Sequence, residues 1–357
     1  MSRGTQGLKP PIRDRRIRFA LVGCGRIAER HIEALEQHAQ HAELIAVCDV
    51  DEQTVQRVAA QTGTEGFTGY DRLLAESDAD CVILCTPSGL HARQAIEAAE
   101  AGRHVVTEKP MATRWKDGIA MVEACDKRGV RLFVVKQNRR NPTVQLVKRA
   151  IDQGRFGRIY VVNMSVLWTR PQAYYESAAW RGTWEFDGGA FMNQASHYVD
   201  LLDWLIGPVE SVHAFTATLA RRIEVEDSGV AIVRWRSGAL GTMTVTMLTY
   251  PRNLEAAVTI IGEQGTVRLG GVAVNDIQHW EFARPDPDDE LVKSASYPTS
   301  SVYGIGHPLY YENVIQTLRG EADPETDGRE GLRSLELLVG IYRSARDGVT
   351  VSLPLEY

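Results

Sequence analysis

The fold is decided by one stretch near the start of the chain, Phe19-Ala20-Leu21-Val22-Gly23-Cys24-Gly25-Arg26-Ile27-Ala28. Here an apolar strand pattern runs into a glycine turn and then into a helix. Gly23 permits the tight turn, Gly25 lets a pyrophosphate approach N–H groups at the helix start, and Ala28 allows close packing of helix and strand. A GxGxxA match is weak by itself, but the pattern predicts a dinucleotide site at Gly23, Gly25, Arg26 and Ile27.

An acidic residue follows at the distance that a dinucleotide site requires. The next strand pattern ends in Cys48-Asp49-Val50-Asp51, so Asp49 comes 24 residues after Gly25. Its carboxylate can accept hydrogen bonds from the hydroxyls of the adenosine ribose. Two acids here would repel a 2′-phosphate, and the sequence therefore predicts NAD rather than NADP. The alternative is a glycine turn in a doubly wound domain that binds no dinucleotide.

Two domains of an α/β protein are predicted from the change of pattern along the chain. Up to about Ala150, short continuous apolar runs alternate with amphipathic helices, which is typical of a parallel sheet covered on both faces. After Phe156, longer segments rich in β-branched and aromatic residues indicate a largely antiparallel sheet. We predict a flexible basic tail (1–16), a Rossmann domain (17–150) and a second α/β domain (151–357), whose C-terminal helix packs either within it or back on the first domain.

Composition excludes several classes of protein. Its 40 Lys and Arg against 46 Asp and Glu give a formal charge of −6, which leaves no long basic face for nucleic acid. No run is apolar enough for a transmembrane helix, so no membrane role is expected. The five cysteines lack a CxxC pair, which favours buried thiols in a reducing cytoplasm and gives no reason to expect a metal site.

Polar residues follow two further strand patterns, where open parallel sheets bind their ligands. Thr86-Pro87-Ser88 and His91 come after the apolar run 81–85 and are expected near a nicotinamide. Glu108-Lys109-Pro110 follows the next run and places a lysine at the same edge of the sheet. We expect Glu108 and Lys109 to contact the cofactor, with a surface ion pair as the alternative for Lys109.

A second candidate group lies in Gly188-Gly-Ala-Phe-Met-Asn193-Gln-Ala-Ser-His197-Tyr-Val-Asp200. Asn193 and His197 are four residues apart and would share one face of a helix predicted over 188–206. A dehydrogenase needs a group that titrates near neutral pH to take the hydroxyl proton as hydride departs. His197 fits that role, whereas an isolated histidine is more often part of the core.

These residues together resemble the Gfo/Idh/MocA oxidoreductase family. The resemblance extends over nearly the whole chain after the tail, and its marks are Gly23-x-Gly25-x-x-Ala28, Glu108-Lys109-Pro110 and the segment with His197. It implies a Rossmann domain joined to an open-faced α/β domain that binds substrate and forms homo-oligomers, with a tetramer as the expected form.

Within the family the chain is most similar to UDP-N-acetylglucosaminuronate 3-dehydrogenases of bacterial surface-polysaccharide (O-antigen, lipopolysaccharide) biosynthesis. Three segments carry this similarity: 136–140 (KQNRR), 180–184 (WRGTW) and 306–311 (GHPLYY). It implies NAD-dependent oxidation of the sugar C3 hydroxyl, with His197 as the base and Lys109 as a cation beside the developing alkoxide. The NADH is then either released, which we favour, or reoxidised in place by 2-oxoglutarate.

The sequence departs from the family at one site residue. The family commonly has an aspartate where this chain has Asn193, which cannot act as a base but can orient a sugar hydroxyl. A UDP-sugar also needs cations and aromatic surfaces, and the planar fork of arginine suits phosphate and carboxylate oxygens. The expected substrate-binding residues are Gln137, Asn138, Arg139, Arg170, Tyr174, Arg181, Asn193, His197 and His307. The alternative for the arginines and aromatics is that they are surface charges and core or subunit contacts.

Two other functions are compatible with the same motifs. One is oxidation of another cyclic polyol or sugar, such as inositol or a free aldose, by Lys109 and His197. The other is a sensor that binds NAD without catalysis. A sensor has no need of both Lys109 and His197, so their joint presence favours an enzyme.

Overall fold

A computed structural model describes residues 7–299 and 301–355 of the chain. The first six residues of the predicted basic tail lie outside the described residues. The chain forms two compact units, of which the first comprises Met1–Val135 and His307–Leu332 and the second Lys136–Gly306 and Arg333–Tyr357. The change of sequence pattern instead predicts one boundary near Ala150.

The strands are β1 (Ile17–Val22), β2 (Ala42–Cys48), β3 (Glu65–Phe67), β4 (Cys81–Leu84), β5 (His104–Thr107), β6 (Leu132–Val134), β7 (Ile159–Leu167), β8 (Val209–Ala217), β9 (Ser228–Trp235), β10 (Leu240–Thr246), β11 (Glu255–Gly262), β12 (Gly265–Gly270), β13 (Asp276–Phe282) and β14 (Val351–Ser352). The α-helices are α1 (Ala28–Gln37), α2 (Glu52–Thr62), α3 (Tyr70–Glu76), α4 (His91–Glu100), α5 (Trp115–Arg128), α6 (Pro142–Asp152), α7 (Gln172–Glu176), α8 (Ser196–Ile206), α9 (Val292–Ala295), α10 (His307–Arg319) and α11 (Gly328–Asp347). None of these described helices has the length and apolar character needed to cross a membrane.

Six parallel strands form the sheet of the first unit, in the order β3-β2-β1-β4-β5-β6. Strands β4 and β5 are buried at every residue, as continuous apolar runs predict for strands covered on both faces. Strand order reverses between β1 and β4, and ligands of such sheets bind outside the carboxyl ends of the strands at that point. The predicted Rossmann fold is confirmed.

Helix α10 belongs to the first unit although it follows strands β7 to β13 of the second unit in sequence. Tyr310, Tyr311 and Val314 pack in one hydrophobic core with residues of β1. The ring of Tyr311 meets that of Phe19 edge to face, with centroids 6.0 Å apart. A single domain boundary near Ala150 does not predict that α10 returns to the first unit.

Residues 7–16 are anchored to the first unit by hydrogen bonds. The amide of Lys9 donates to the Gly129 carbonyl (2.7 Å) and that of Ile12 to the Leu318 carbonyl (2.9 Å). The Arg15 guanidinium forms two hydrogen bonds with the Asp80 carboxylate, of 2.6 and 2.7 Å. The prediction of a flexible tail is therefore wrong for this segment, because its backbone and basic side chains have fixed partners.

Eight strands form the sheet of the second unit, in the order β13-β12-β11-β7-β10-β9-β8-β14. The pairs are antiparallel except for the parallel pair β7–β10. Buried and exposed residues alternate along β9 and β10, as expected for a sheet with one packed and one open face. The predicted largely antiparallel, open-faced sheet is confirmed.

Candidate active site

The turn between β1 and α1 has the geometry of a phosphate-binding loop. Gly23 has a φ of +92°, and a side-chain carbon added to it would lie 2.7 to 2.8 Å from backbone atoms of Cys85 and Thr86. A carbon added at Gly25 would meet no atom of the described residues within 4 Å. Gly25 and Arg26 are exposed, Ile27 is half-buried, and among the described residues no side chain caps α1. The open space beside Gly25, at the start of α1, thus fits a pyrophosphate.

A cavity of about 450 Å³ adjoins this turn and includes Asp49 in its lining. The Asp49 carboxylate accepts hydrogen bonds from the amides of Cys24 (2.8 Å) and Asp51 (3.0 Å), which fix it at the end of β2. Each carboxylate oxygen has a second lone pair, so Asp49 can also accept bonds from ribose hydroxyls. These residues fit an NAD molecule.

Asp51, the second acid of the predicted pair, has a different role. Its side chain accepts a hydrogen bond from the Thr54 amide (2.9 Å) and caps the start of α2. The hydrogen bonds from Thr54 lower the pKa of Asp51. The preference for NAD over NADP consequently depends on Asp49 more than on Asp51. Arg57, which the sequence reasoning missed, also lines the cavity.

The residues that follow β4 and β5 lie side by side, because Leu84 pairs with Thr107. Thr86 and Pro87 are half-buried and Ser88 is buried at this edge. His91 is also buried, and its ring nitrogens lie 2.8 Å from the Thr86 carbonyl and 2.9 Å from the Pro110 carbonyl. The predicted contact of His91 with the cofactor is corrected, since its ring bridges two loops of the protein.

Glu108 and Lys109 occupy the end of β5 in different environments. Lys109 is half-buried at the strand end, as the sequence predicts. Glu108 is buried, and its carboxylate accepts hydrogen bonds from the Lys109 amide (3.1 Å) and from His31 (3.1 Å). Glu108 therefore bonds to the protein itself, whereas the cofactor was its predicted partner.

Asn193 and His197 lie in two successive elements. Asn193 is in a π-helical turn, Ala190–Gln194, and His197 is in the first turn of α8. The prediction that both share a face of one helix is corrected, because Ala195 separates the π-helical turn from α8. The Asn193 amide donates to the carboxylate of Asp187, which also accepts a 2.7 Å bond from the Gly182 amide. Such π turns occur often at functional sites.

A buried group of charges lies next to His197 in the second unit. The amide nitrogen of Gln137 is 3.2 Å from His197 Nε2, so the structure brings these two predicted residues together. Arg139 instead forms a bidentate ion pair with Asp200 at 2.7 and 2.8 Å, and Lys136 Nζ is 3.3 Å from Asp200. Burial would raise the pKa of Asp200, but Arg139 and Lys136 hold it at about 2. Arg139 thus ties the buried 3₁₀ helix Gln137–Arg140, which includes Asn138, to α8.

Three predicted substrate-binding residues form one polar and aromatic cluster in the second unit. The Arg181 guanidinium donates to the Tyr174 hydroxyl (2.7 Å) and lies 4.4 Å from the Trp180 ring centroid. Arg170 donates to Gln194 Oε1 (2.9 Å) and lies over Tyr174. The Gln194 amide also donates to Tyr174 (3.2 Å). Arg170, Tyr174, Arg181 and Gln194 thus lie together, and the binding of substrate by the first three stays a prediction.

His307 lies in the first unit, apart in sequence from the other predicted substrate residues. It is buried at the start of α10 with its ring centroid 5.5 Å from that of His31. Burial, with His31 close by, lowers the pKa of His307 to about 3. His307 is therefore a neutral buried histidine at neutral pH.

Four polar residues of the second unit were not predicted from the sequence: Asp187, Gln194, Asp200 and Glu226. Asp187 directly precedes the candidate segment 188–200, and Asp200 is its last residue, three after His197. A carboxylate one helical turn from a candidate base is a usable signal. Glu226 gives no such signal, because its partners come from distant parts of the chain.

Comparisons with known proteins agree with this geometry. The model of the oxidoreductase family NAD-binding Rossmann fold matches residues 17–136, and that of the oxidoreductase family C-terminal α/β domain matches residues 148–353. The chain belongs to the Gfo/Idh/MocA oxidoreductase family. The predicted family is thus confirmed, and so is the expectation of an NAD-binding dehydrogenase.

Two solved structures are similar to almost the whole chain. A WlbA dehydrogenase from Bordetella pertussis, in complex with NADH and UDP-GlcNAcA, is 67% identical with a TM-score of 0.95, over 97% of this chain and 100% of that one. A WlbA dehydrogenase from Chromobacterium violaceum with the same ligands is 67% identical with a TM-score of 0.94, over 98% and 99% of the chains. A D-apiose dehydrogenase from Paraburkholderia graminis is 27% identical, over 95% of this chain and 90% of that one.

Glu226 generates a prediction about stability and pH. Its Oε1 accepts bonds from the Phe191 amide (2.9 Å) and the Tyr342 hydroxyl (2.7 Å), and burial raises its pKa from 4.5 to about 7. The folded state therefore holds this proton more tightly than the unfolded state does. The contribution of Glu226 to stability is fully present below pH 4.5 and is lost as pH rises through 7. In the unaltered protein this effect lowers the free energy of unfolding by about 3 kcal/mol between pH 5 and 8. We expect Glu226→Gln to abolish this decrease.

Urea unfolding at pH 5 and pH 8 measures this difference. Glu224→Gln, at an exposed glutamate two residues away, is the matched control and should leave the pH dependence unchanged. If Glu226→Gln leaves the pH dependence of the free energy of unfolding unaltered, Glu226 is ionised in the folded protein.

Proposed function

We propose that this protein oxidises the C3 hydroxyl of UDP-N-acetylglucosaminuronic acid to the 3-keto sugar with NAD⁺ as the oxidant. The observation that carries the proposal is the 67% identity, over 97% of the chain, to a dehydrogenase whose structure holds NADH and UDP-GlcNAcA. The two family domains and the open phosphate-binding turn at Gly23–Gly25 support the cofactor. Bacterial surface-polysaccharide (O-antigen) biosynthesis is the proposed setting.

The oxidation requires removal of a hydride and a proton from one carbon–oxygen unit. NAD⁺ supplies the hydride acceptor, held by the β1–α1 turn and by Asp49. In the proposal His197 takes the proton of the C3 hydroxyl as the C3–H bond breaks, which leaves a ketone. The side-chain amide of Gln137, 3.2 Å from His197 Nε2, fixes the orientation of the imidazole ring. The hydroxyl proton goes to the ring nitrogen that carries no hydrogen.

Lys109 has the second chemical role in the proposal. As the hydroxyl proton leaves, negative charge develops on the C3 oxygen, and the ammonium of Lys109 stabilises it. Asn193 contributes orientation rather than proton transfer, since an amide is not a base. Its bond to Asp187 fixes the amide so that its oxygen can accept a hydrogen bond from a sugar hydroxyl.

The cluster of Arg170, Tyr174 and Arg181 supports an anionic nucleotide sugar. Among the described residues, the hydrogen-bond partners of the two guanidinium groups are amide, carbonyl and phenol oxygens. Both positive charges are therefore available to a diphosphate or a carboxylate. Free polyols, the substrates of the alternative proposal, need no such charge, although D-apiose dehydrogenase is among the relatives.

The cytoplasm is the proposed location, which the five free cysteines support because reducing compartments leave thiols unpaired. We favour release of NADH after each turnover, with reoxidation by 2-oxoglutarate in place as the alternative.

A homo-oligomer, in the form of a tetramer, is also proposed. Cross-strand partners share a face of a sheet, so Phe215, Val230, Ile232, Leu240 and Ile261 lie on the open face of the second unit. Phe215 and Ile232 are 65% and 60% exposed. Apolar side chains in such a row favour burial against a second copy of the chain.

The reaction is tested by supplying NAD⁺ and UDP-N-acetylglucosaminuronic acid, with and without 2-oxoglutarate, and with myo-inositol and glucose as controls. We expect NADH by absorbance and a 3-keto nucleotide sugar by mass spectrometry. Keto product without free NADH, and only with 2-oxoglutarate, would assign cofactor recycling. Turnover of myo-inositol or glucose alone would show that the substrate is a free polyol or sugar. Bound NAD without turnover of any substrate would favour a sensor.

Substitution of the two catalytic residues gives a second test. We expect Lys109→Met and His197→Gln each to lower kcat by about 10²- to 10³-fold, with little change in KM, because their interactions strengthen in the transition state. Steady-state kinetics measure the effect. Lys127→Met, at an exposed lysine of α5, is the control. A normal kcat in Lys109→Met would reduce that lysine to a structural role.

The oligomer is tested by light scattering after size-exclusion chromatography. Ile232→Asp places a charge on the open sheet face, and we expect it to lower the measured mass from that of a tetramer. Val349→Asp, at an exposed apolar residue outside that sheet, should leave the mass unchanged. An unchanged mass in Ile232→Asp would place the subunit contact elsewhere.

A further inference from the structure

A chain of buried hydrogen bonds ends at the backbone of Lys109. Tyr311 on α10 is 2.6 Å from Nδ1 of His31, and Nε2 of His31 is 3.1 Å from Oε1 of Glu108. The other carboxylate oxygen, Oε2, accepts a hydrogen bond from the Lys109 amide at 3.1 Å. All four residues belong to the first unit, and Tyr311, His31 and Glu108 are buried. None of the bonds in this chain is part of the mechanism proposed above.

The protonation states along the chain follow from its acceptors. Burial would raise the pKa of Glu108, but hydrogen bonding to His31 and the positive charge of Lys109 hold it well below its usual value. Burial raises the pKa of Tyr311 well above its usual value, so its hydroxyl keeps its proton. The carboxylate can only accept, which places a proton on His31 Nε2, and in the neutral imidazole Nδ1 then accepts from Tyr311. Each donor in the chain then has one acceptor.

His31, Glu108 and His307 also form a group whose ligand atoms lie within 4.8 Å of one another, as in a metal site. A cation bound to His31 Nε2 would have to replace the proton shared with Glu108. The 3.1 Å distance between these atoms is that of a hydrogen bond, and the Glu108 carboxylate already bonds to the Lys109 amide as well. The geometry therefore favours a hydrogen-bonded network over a metal site.

We propose that His31 is a positioning residue for Lys109 and acts through the carboxylate of Glu108. The inference rests on the proposed function, because it requires a catalytic role for Lys109. His31 fixes the carboxylate, the carboxylate fixes the amide at the end of β5, and the lysine leaves the sheet from that point. The carboxylate also places a compensating negative charge beside the ammonium-bearing residue.

The place of His31 in the fold gives this network a second consequence. His31 is in α1, the helix that begins directly after the dinucleotide-binding turn. The same helix therefore offers its N-terminus to the pyrophosphate and holds, one turn further on, the network behind Lys109. Tyr311 supports it from the segment Gly306-His-Pro-Leu-Tyr-Tyr311, which no part of the proposed mechanism uses.

The test compares His31→Leu with His31→Gln by steady-state kinetics. Leucine removes both ring nitrogens, and we expect kcat to fall at least tenfold while KM and the dissociation constant of NADH change less than threefold. Glutamine keeps an N–H donor that can reach Glu108 and should restore most of kcat. Equal losses in the two variants, or a normal kcat in His31→Leu, would overturn the proposal.

A double-mutant cycle separates this inference from the proposed function. If His31 acts through Lys109, His31→Leu should lower kcat less than twofold further in a Lys109→Met background. If the two losses multiply, the positioning role fails while the catalytic role of Lys109 stands. If Lys109→Met alone leaves kcat unchanged, the catalytic role of Lys109 fails and the positioning role fails with it. The proposed function itself fails only if UDP-N-acetylglucosaminuronic acid is not oxidised.

The pH profile of kcat is a readout that a merely structural role would not move. The titratable groups that face Glu108 are His31, Lys109, His307, His91, Cys85, Tyr310 and Tyr311. Without the bond from His31, burial raises the pKa of Glu108, and the carboxylate is protonated at higher pH. We expect the kcat of His31→Leu to fall more at pH 6 than at pH 8.5, and parallel profiles would contradict the proposal.

Two further variants cover the event that His31→Leu fails to fold. Tyr311→Phe removes one hydroxyl and should lower kcat by a smaller factor, whereas Tyr310→Phe, at the neighbouring buried tyrosine, is the control. Nitrogen NMR of histidine-labelled protein should show His31 as the Nε2–H tautomer, with a changed Nδ1 resonance in Tyr311→Phe. An Nδ1–H tautomer, or stoichiometric metal in the purified protein by elemental analysis, would overturn the network.

Discussion

The close approach of Gly23 to the backbone of Cys85 and Thr86 is the constraint on which the first unit depends. Strands β1 and β4 pair Val22 with Leu84, so the two strand ends meet, and any side chain at Gly23 would force them apart. The same edge receives the residues after β5, because Leu84 pairs with Thr107. The phosphate-binding turn, the Thr86 loop and Lys109 thus occupy neighbouring places on one sheet edge. A single backbone arrangement positions the cofactor turn and the lysine that the proposed chemistry requires.

Much of the fold could be predicted because burial on one or both faces of a strand is encoded in its own residues. The continuous run of β4 and the alternation along β9 each identify their sheet without knowledge of any partner. The return of α10 to the first unit could not be predicted in this way. Tyr310 and Tyr311 are buried aromatic residues, and such residues suit any core. The anchoring of residues 7–16 could not be predicted for a similar reason. A basic segment is expected to be solvated unless its carboxylate partner, here Asp80, is known.

The positions of candidate site residues could be predicted where the signal is a short spacing, whereas hydrogen-bond partners distant in sequence could not. The glycine turn and Asp49 depend on short spacings. His91 and Arg139 bond instead to Pro110 and Asp200, which lie 19 and 61 residues away. A polar side chain near a sheet edge or a candidate base looks functional in the sequence whichever partner it finally meets. The π turn at Asn193 is also nonlocal in origin, because Glu226 accepts a hydrogen bond from the Phe191 amide within it.

The charges of the second unit bear on the kind of substrate. Lys136 and Arg139 are offset in part by Asp200, whereas Arg170 and Arg181 bond to uncharged oxygens. Burial lowers the pKa of Arg170, which reflects the cost of holding its charge away from water. A protein bears such a cost most readily where an anionic ligand completes the charge balance. Asn193 adds no charge to this unit, and its amide donates to the Asp187 carboxylate. The uncharged partners of Arg170 and Arg181 are therefore consistent with a site that accepts an anionic sugar.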